Sequence, residues 1–286
     1  MGKISIDISE DSYSKLRHQD YELSILLGVD SFAYALSDER RQIVALREYS
    51  FEQQDAPAWQ ETSAILSIIQ NDKRLQDNFR SARIGLSGRP LTLVPSRLYN
   101  PLEKHQYLLH LSALPDHAEI LADDLGELGC RGLYALPAPL LGALRQGFPG
   151  CRLMHLSSAL LQSWRKLAEA AGSGHCVCLH LQAGELILAL FSNGAVQLCN
   201  TYPYQSAEDF LYFVLLGLHQ QELDNNLTPV YISGKLLPES AIYTLLARYF
   251  RQLQFMPAPA QIAAGAQLGQ TPGHFYADLF SLMLAS

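Results

Sequence analysis

The sequence predicts an α/β protein of two duplicated lobes, each a mixed sheet flanked by helices. Three observations predict it. Residues 21–51 and 176–202 each read as three strands joined by short turns, and a helix, a strand and a helix follow each set. Local sequence repeats with the order. Ile84-Gly85-Leu86-Ser87-Gly88-Arg89 parallels Val230-Tyr231-Ile232-Ser233-Gly234-Lys235, and Tyr49-Ser50-Phe51 parallels Tyr202-Pro203-Tyr204. Between the sets lies Ala171-Gly172-Ser173-Gly174, the strongest linker signal in the chain.

In the first set, Tyr21, Leu23, Ile25, Leu27 and Val29 recur with the period of two that marks a strand. Phe32, Tyr34 and Leu36 alternate with alanines in a second strand, and residues 43–51 form a third. Asp55 can cap a helix, Pro57 suits its first turn, and Trp59, Thr62, Leu66 and Ile69 share a face. Residues 83–86 read as a strand that residues 91–94 extend. The middle reads as helix-rich, apart from short strands at 133–136 and 152–156. Leu140, Leu141 and Leu144 mark one helix, and another runs from Ser157 or Ser158 through Trp164 to about Ala170.

In the second set, strands are expected at 176–181, 186–191 and 196–202, with hairpin turns at Ala183-Gly184 and Asn193-Gly194. Ser206 and Asp209 have capping-box spacing before a helix marked by Phe210, Phe213, Val214, Gly217 and Leu218. Residues 230–232 are a strand. Ile242, Leu245, Leu246, Tyr249, Phe250 and Leu253 then form one amphipathic stripe. Residues 257–271, rich in Ala, Gly, Gln and Pro, read as a loop before a helix over 275–284.

Composition supports a sizeable core: 48% of the 286 residues are apolar and 17% charged. A net charge of −7 disfavours nucleic acid and anionic lipid as partners. No signal-peptide pattern opens the chain and no apolar run is long enough to span a bilayer, so a cytoplasmic protein with no membrane partner is expected. Five cysteines without an export signal point to reduced, mostly buried thiols. Cys176, Cys178 and His180 share one strand face and are zinc-type ligands, but no C-x-x-C pair accompanies them. They read as core residues, and no metal is expected. His105, His110 and His117 lack metal spacing. Asp123–Asp124 reads as a solvated pair on a helix.

Leu133-Tyr134-Ala135-Leu136-Pro137, a helix, then Arg152-Leu153-Met154-His155-Leu156-Ser157-Ser158-Ala159-Leu160 resembles the crossing segment of the actin, Hsp70 and sugar-kinase superfamily, whose core is ribonuclease H-like. From about Leu23 onward the chain also resembles a family of uncharacterised bacterial proteins with an actin-like ATPase fold. The matching phrases are Pro203-Tyr204-Gln205-Ser206-Ala207-Glu208-Asp209-Phe210-Leu211-Tyr212, Tyr231-Ile232-Ser233-Gly234 and His274-Phe275-Tyr276-Ala277-Asp278-Leu279-Phe280. The resemblance implies a polar N-terminal segment (1–19), a first lobe with the crossing segment (20–172) and a second lobe (173–256). A loop and C-terminal helix (257–286) would return to the first lobe.

The same resemblance implies an interlobe cleft whose hairpin turns face ATP-Mg. Glycines there let backbone N–H groups approach the phosphates. Here the first turn is Gly28-Val29-Asp30-Ser31-Phe32. Asp30 and Ser31 suit the task, but no glycine follows Asp30, Phe32 would fill phosphate space, and the segment also reads as a plain core hairpin. In the second turn His180 replaces an Asp, Gly184 alone survives of the glycines, and Glu185 would face a phosphate. At the adenosine position Ser233-Gly234 keeps one glycine of two, followed by Lys235. If nucleotide binding is retained, Asp30, Ser31, Gly184, Ser233, Gly234 and Lys235 would carry it. The expectation is instead a pseudo-ATPase without cofactor or catalytic residues that binds a protein partner or itself. The alternative is a nucleotide-binding protein or phosphotransferase using atypical loops.

Overall fold

The computed structural model describes residues 2–51, 62–109, 114, 117–170 and 174–285. The period-two stretches form β2 (Glu22–Leu27), β3 (Ser31–Ser37) and β4 (Gln42–Ser50), an antiparallel meander. β5 (Ser81–Leu86) adds parallel to β2, and β9 (Arg152–His155) adds parallel to β5. In the second sheet β10 (His175–Gln182), β11 (Glu185–Ser192) and β12 (Ala195–Pro203) form a meander. β13 (Val230–Ser233) and β14 (Leu253–Phe255) follow in parallel. The order β4-β3-β2-β5-β9 in one sheet is β12-β11-β10-β13-β14 in the other, with matching directions.

The first sheet has one extra edge. β1 (Lys3–Ser9) pairs antiparallel with β4, and β15 (Ala263–Ala264) pairs with Gln42 and Ile43 beside it. Polar residues conceal β1 in the sequence. Asp7 is held by Arg47 at 2.6 Å and Arg74 at 2.7 Å. Glu10, buried after β1, accepts the backbone N–H groups of Gln267 and Leu268, so the C-terminal loop closes on the N-terminal segment.

The central strands of both sheets are buried on both faces. α4 (Leu156–Ala170) and α7 (Ala277–Leu284) lie between them. Leu156, Leu160, Trp164, Leu279, Phe280 and Met283 meet Leu26, Ala33 and Leu46 of one sheet and Cys176, Cys178, Ile187 and Phe191 of the other. Each Leu, Ile, Phe or Met among them contributes about 1.5–3 kcal/mol when fully buried. α7 also packs on β2 and β5. On the outer faces, α1 (Thr62–Asn71) and α3 (Ala138–Gly147) cover the first sheet, and α5 (Ala207–Gln220) and α6 (Ala241–Tyr249) cover the second. The capping box starts α5: Ser206 Oγ accepts the Asp209 N–H at 3.0 Å, and Asp209 Oδ2 accepts the Ser206 N–H at 3.2 Å. The buried face of α1 is Ile65, Ile68 and Ile69 rather than the stripe through Leu66. Asp55, Pro57 and Trp59, and most of the expected linker at 171–174, lie outside the described residues.

The middle holds, besides its helices, a sheet that the sequence reading did not assemble. β6 (Leu91–Pro95), β7 (Ala118–Leu125) and β8 (Cys130–Pro137) form a third, antiparallel sheet in the order β6-β8-β7. Residues 91–94 therefore begin a separate sheet and do not extend β5. α2 (Lys104–Leu109), which includes His105, closes a small core of Val94, Leu108 and Leu133 over it. His117 adopts a left-handed φ of 54°, and His110 lies outside the described residues. The amphipathic stripe of the second lobe also splits: α6 ends at Tyr249, and Leu253 opens β14.

Asp123–Asp124 is likewise on a strand and not on a helix. Asp124 faces out to Arg131 at 3.1 Å. Asp123 is buried, accepting the Tyr134 hydroxyl at 3.2 Å and the His155 N–H at 2.8 Å at the start of α4. Burial raises its pKa to about 6, although those donors favour the carboxylate. The folded state thus holds this proton more tightly than the unfolded chain. Stability should fall as pH rises from about 4 to 6, by roughly 3 kcal/mol, and be flat above. Urea titrations across that window compare wild type with Asp123→Asn; an identical pH slope for both would refute the assignment.

Candidate functional site: the interlobe cleft

The first turns of both sheets open into one cavity of about 340 Å³ between the lobes. That is at the small end for a ligand site. Asp30, Ser31, Gly234 and Lys235 line it together with Glu48, Gln182, Tyr204 and Asp278. Four of the six residues expected from sequence therefore meet. Ser233 lies just beneath, fully buried. Its hydroxyl donates to the Leu179 carbonyl at 3.1 Å and lies within hydrogen-bond distance of His180 Nδ1 at 3.0 Å. Gly184 does not line the cavity. It occupies the β10–β11 hairpin at φ +69°, its carbonyl accepting the Tyr204 N–H at 2.9 Å.

Two sequence expectations fail here. Phe32 does not fill the cleft. It points to the outer face of the sheet, fully buried, edge-on to Tyr49 with ring centroids 6.2 Å apart. The alternation of β3 turns Ala33 inward in its place. Glu185 does not face the cleft either. It is partly buried outside the lining, and burial raises its carboxyl pKa.

The remaining geometry is unfavourable for a triphosphate. Ser31 turns back over Gly28: a Cβ added at Gly28 would lie 2.5 Å from Ser31 Oγ. The Gly28 N–H is bonded to the Ser31 carbonyl at 2.8 Å, and the Gly234 N–H to the His274 carbonyl at 2.9 Å. Lys235 is engaged by both Glu48 carboxylate oxygens across the cleft, from the second lobe to the first. Ser87 on the first lobe likewise donates to Gln182 on the second. Three carboxylates (Asp30, Glu48 and Asp278) line the cavity against the single lysine. His180 Nε2 lies 3.7 Å from Asp278 Oδ2. Among the described residues no group of three or more His, Cys, Asp or Glu could hold a metal ion. The residues present do not fit ATP-Mg.

Sequence reading missed Glu48, Gln182 and Asp278. Glu48 alone left a signal, as a buried carboxylate beside Arg47 in a largely apolar strand.

Two sheets of identical order with α4 and α7 between them define the actin-like ATPase fold. A Bacteroides thetaiotaomicron protein of that fold and unknown function matches with TM-score 0.76 and 15% identity, over 85% of this chain and 93% of its own. A chain of the PilM–PilN type IV pilus biogenesis complex matches with TM-score 0.58 and 15% identity, over 92% and 97%. The ethanolamine utilization protein EutJ from Carboxydothermus hydrogenoformans matches with TM-score 0.50 and 10% identity, over 97% and 93%. By sequence, the chain belongs to the family described as "Protein of unknown function (DUF3822)", whose model matches residues 10–253. No curated protein matches it. Among the described residues no helix is long and apolar enough to cross a membrane.

Proposed function

We propose that this protein is a non-catalytic member of the actin-like fold that works by binding protein, with a cleft that does not take a nucleoside triphosphate. The observation that carries the reading is the Lys235–Glu48 pair. It consumes the cleft's lysine and ties the lobes where a phosphate chain would lie. The excess of carboxylates adds repulsion toward any polyphosphate. A fold neighbour solved as part of the PilM–PilN complex supports a role in protein assembly. Nothing in the sequence or the fold calls for nucleic acid, and the cytoplasm is the proposed location.

A second reading, nucleotide binding through atypical loops, is favoured by the convergence of Asp30, Ser31, Gly234 and Lys235 on one cavity. Calorimetric titration with ATP and ADP, each with Mg, separates the two. The first reading expects no heat at millimolar nucleotide and no change in the fluorescence of Trp164, which is buried between the lobes. Micromolar binding would overturn it.

A further inference from the structure

A second cavity, of about 420 Å³, shares no lining residue with the interlobe cleft and is the larger of the two. The second half of α4, the loop of residues 256–261 after β14, and α7 enclose it. Leu167, Met256, Pro257, Pro259 and Leu284 give it apolar walls. The loop is a fitted wall. Its two prolines restrict the backbone. The Met256 N–H is bonded to the Ile232 carbonyl at 2.8 Å, and the Ile262 N–H to the Pro259 carbonyl at 3.1 Å. Gly273, just before α7, makes room for Ala258: a Cβ added there would lie 2.7 Å from the Ala258 Cβ.

Two polar groups of this lining lack partners. Trp164 is 1% exposed, and its indole N–H meets no acceptor among the described residues. A buried indole N–H ordinarily finds an acceptor, and leaving it without one costs stability. Lys166 is exposed at the rim and forms no ion pair among the described residues. The charges around it are already spent. Glu127, the one carboxylate in the lining, lies 3.4 Å from Arg165 Nη2, and Arg165 also meets Glu169 at 3.2 Å. The cleft has an excess of carboxylates and a consumed lysine; here the uncompensated charge is positive.

We infer that this cavity is a binding site for a small apolar acid, with its body on the apolar walls, an acceptor atom at the Trp164 indole and its anionic group at Lys166. Apolar walls with a few placed polar groups, in a volume of this range, are the make-up of a small-molecule site. A bare inorganic anion would leave the walls unfilled. A neutral hydrocarbon would leave both the indole and the lysine without partners. The walls come from helices packed between the two sheets and from a loop of the second lobe, so an occupant joins elements of both. The inference does not depend on what the cleft takes.

Fluorescence titration with 8-anilinonaphthalene-1-sulfonate, an apolar anion, tests it. The full chain carries Trp59→Phe, so that Trp164 is the single tryptophan. Micromolar binding is expected, with energy transfer from Trp164 to the probe. N-phenyl-1-naphthylamine has the same apolar body without the sulfonate and should bind about fivefold or more weakly. Lys166→Glu, at an exposed position, should melt like the parent chain, weaken the sulfonate probe about fivefold or more and leave the neutral probe unchanged. Ser163→Phe, which fills the cavity from a partly exposed position, should abolish transfer from Trp164 to either probe. No binding at millimolar probe would overturn the inference. So would equal affinity for the two probes, or a sulfonate affinity that neither substitution lowers.

Discussion

Replacing Asp72 by alanine is expected to destabilise the protein by about 3–5 kcal/mol, the cost of removing one partner from a buried charged network. Asp72 follows α1 and is buried against the first sheet. Its Oδ2 accepts the Tyr34 hydroxyl at 2.7 Å and the Tyr49 hydroxyl at 2.8 Å. Its Oδ1 receives Arg47 Nη1 at 3.0 Å and the Arg74 N–H at 3.0 Å. Truncation strands two phenols that are already desolvated and leaves the Arg47 guanidinium paired with Asp7 alone. Urea denaturation at neutral pH measures the loss; a change below about 1 kcal/mol would refute the account. Burial alone would raise this carboxyl's pKa, but the Tyr34 and Tyr49 hydroxyls, the Arg74 N–H and Arg47 together hold it below the ordinary value. Its contribution is therefore present above the unfolded carboxylate pKa, near 3.9, and is lost as pH falls through the lower folded value. Asp72→Asn keeps one acceptor and should fall between alanine and wild type.

Gly234→Ala is expected to cost about 3 kcal/mol, combining backbone strain with overpacking, and to lower the melting temperature by roughly 6–12 °C. Gly234 sits at φ +110°, a conformation that L side chains rarely adopt. An added Cβ would lie 2.5 Å from the Leu181 carbonyl oxygen and 3.1 Å from the Leu181 nitrogen. Those are backbone atoms of β10, so no rotamer change relieves the clash. The turn also positions Lys235, so the bridge to Glu48 should loosen with it. An alanine variant that melts with wild type would show that the turn can move without loss, and the cleft would then be less rigid than described.

The repeated sheets were legible because strands buried on both faces leave apolar runs of the right length. β10 and β11 show this most clearly, and the short turns at Ala183-Gly184 and Asn193-Gly194 separate them from each other and from β12. Of the third sheet, β6 and β8 left strand signals, but β7 did not. Asp123 and Asp124 break the apolar pattern of β7, and only the fold reveals that Asp123 is buried against Tyr134 and the start of α4. β1 was hidden similarly, since Asp7 and Glu10 look like surface residues until Arg47, Arg74 and residues 267–268 arrive from far along the chain. The resemblance to actin-like proteins implied where a cleft would lie and which loops would line it. It could not show Lys235 held by Glu48, 187 positions away, nor Phe32 turned to the outer face.

By itself the sequence determined the repeated α/β frame, because the period of apolar residues and the chemistry of turns act between neighbours a few positions apart. The tertiary structure alone decided which polar groups are buried together and which charges cancel across the cleft. Those outcomes depend on distances between residues that the chain separates by tens or hundreds of positions, and no local pattern encodes them.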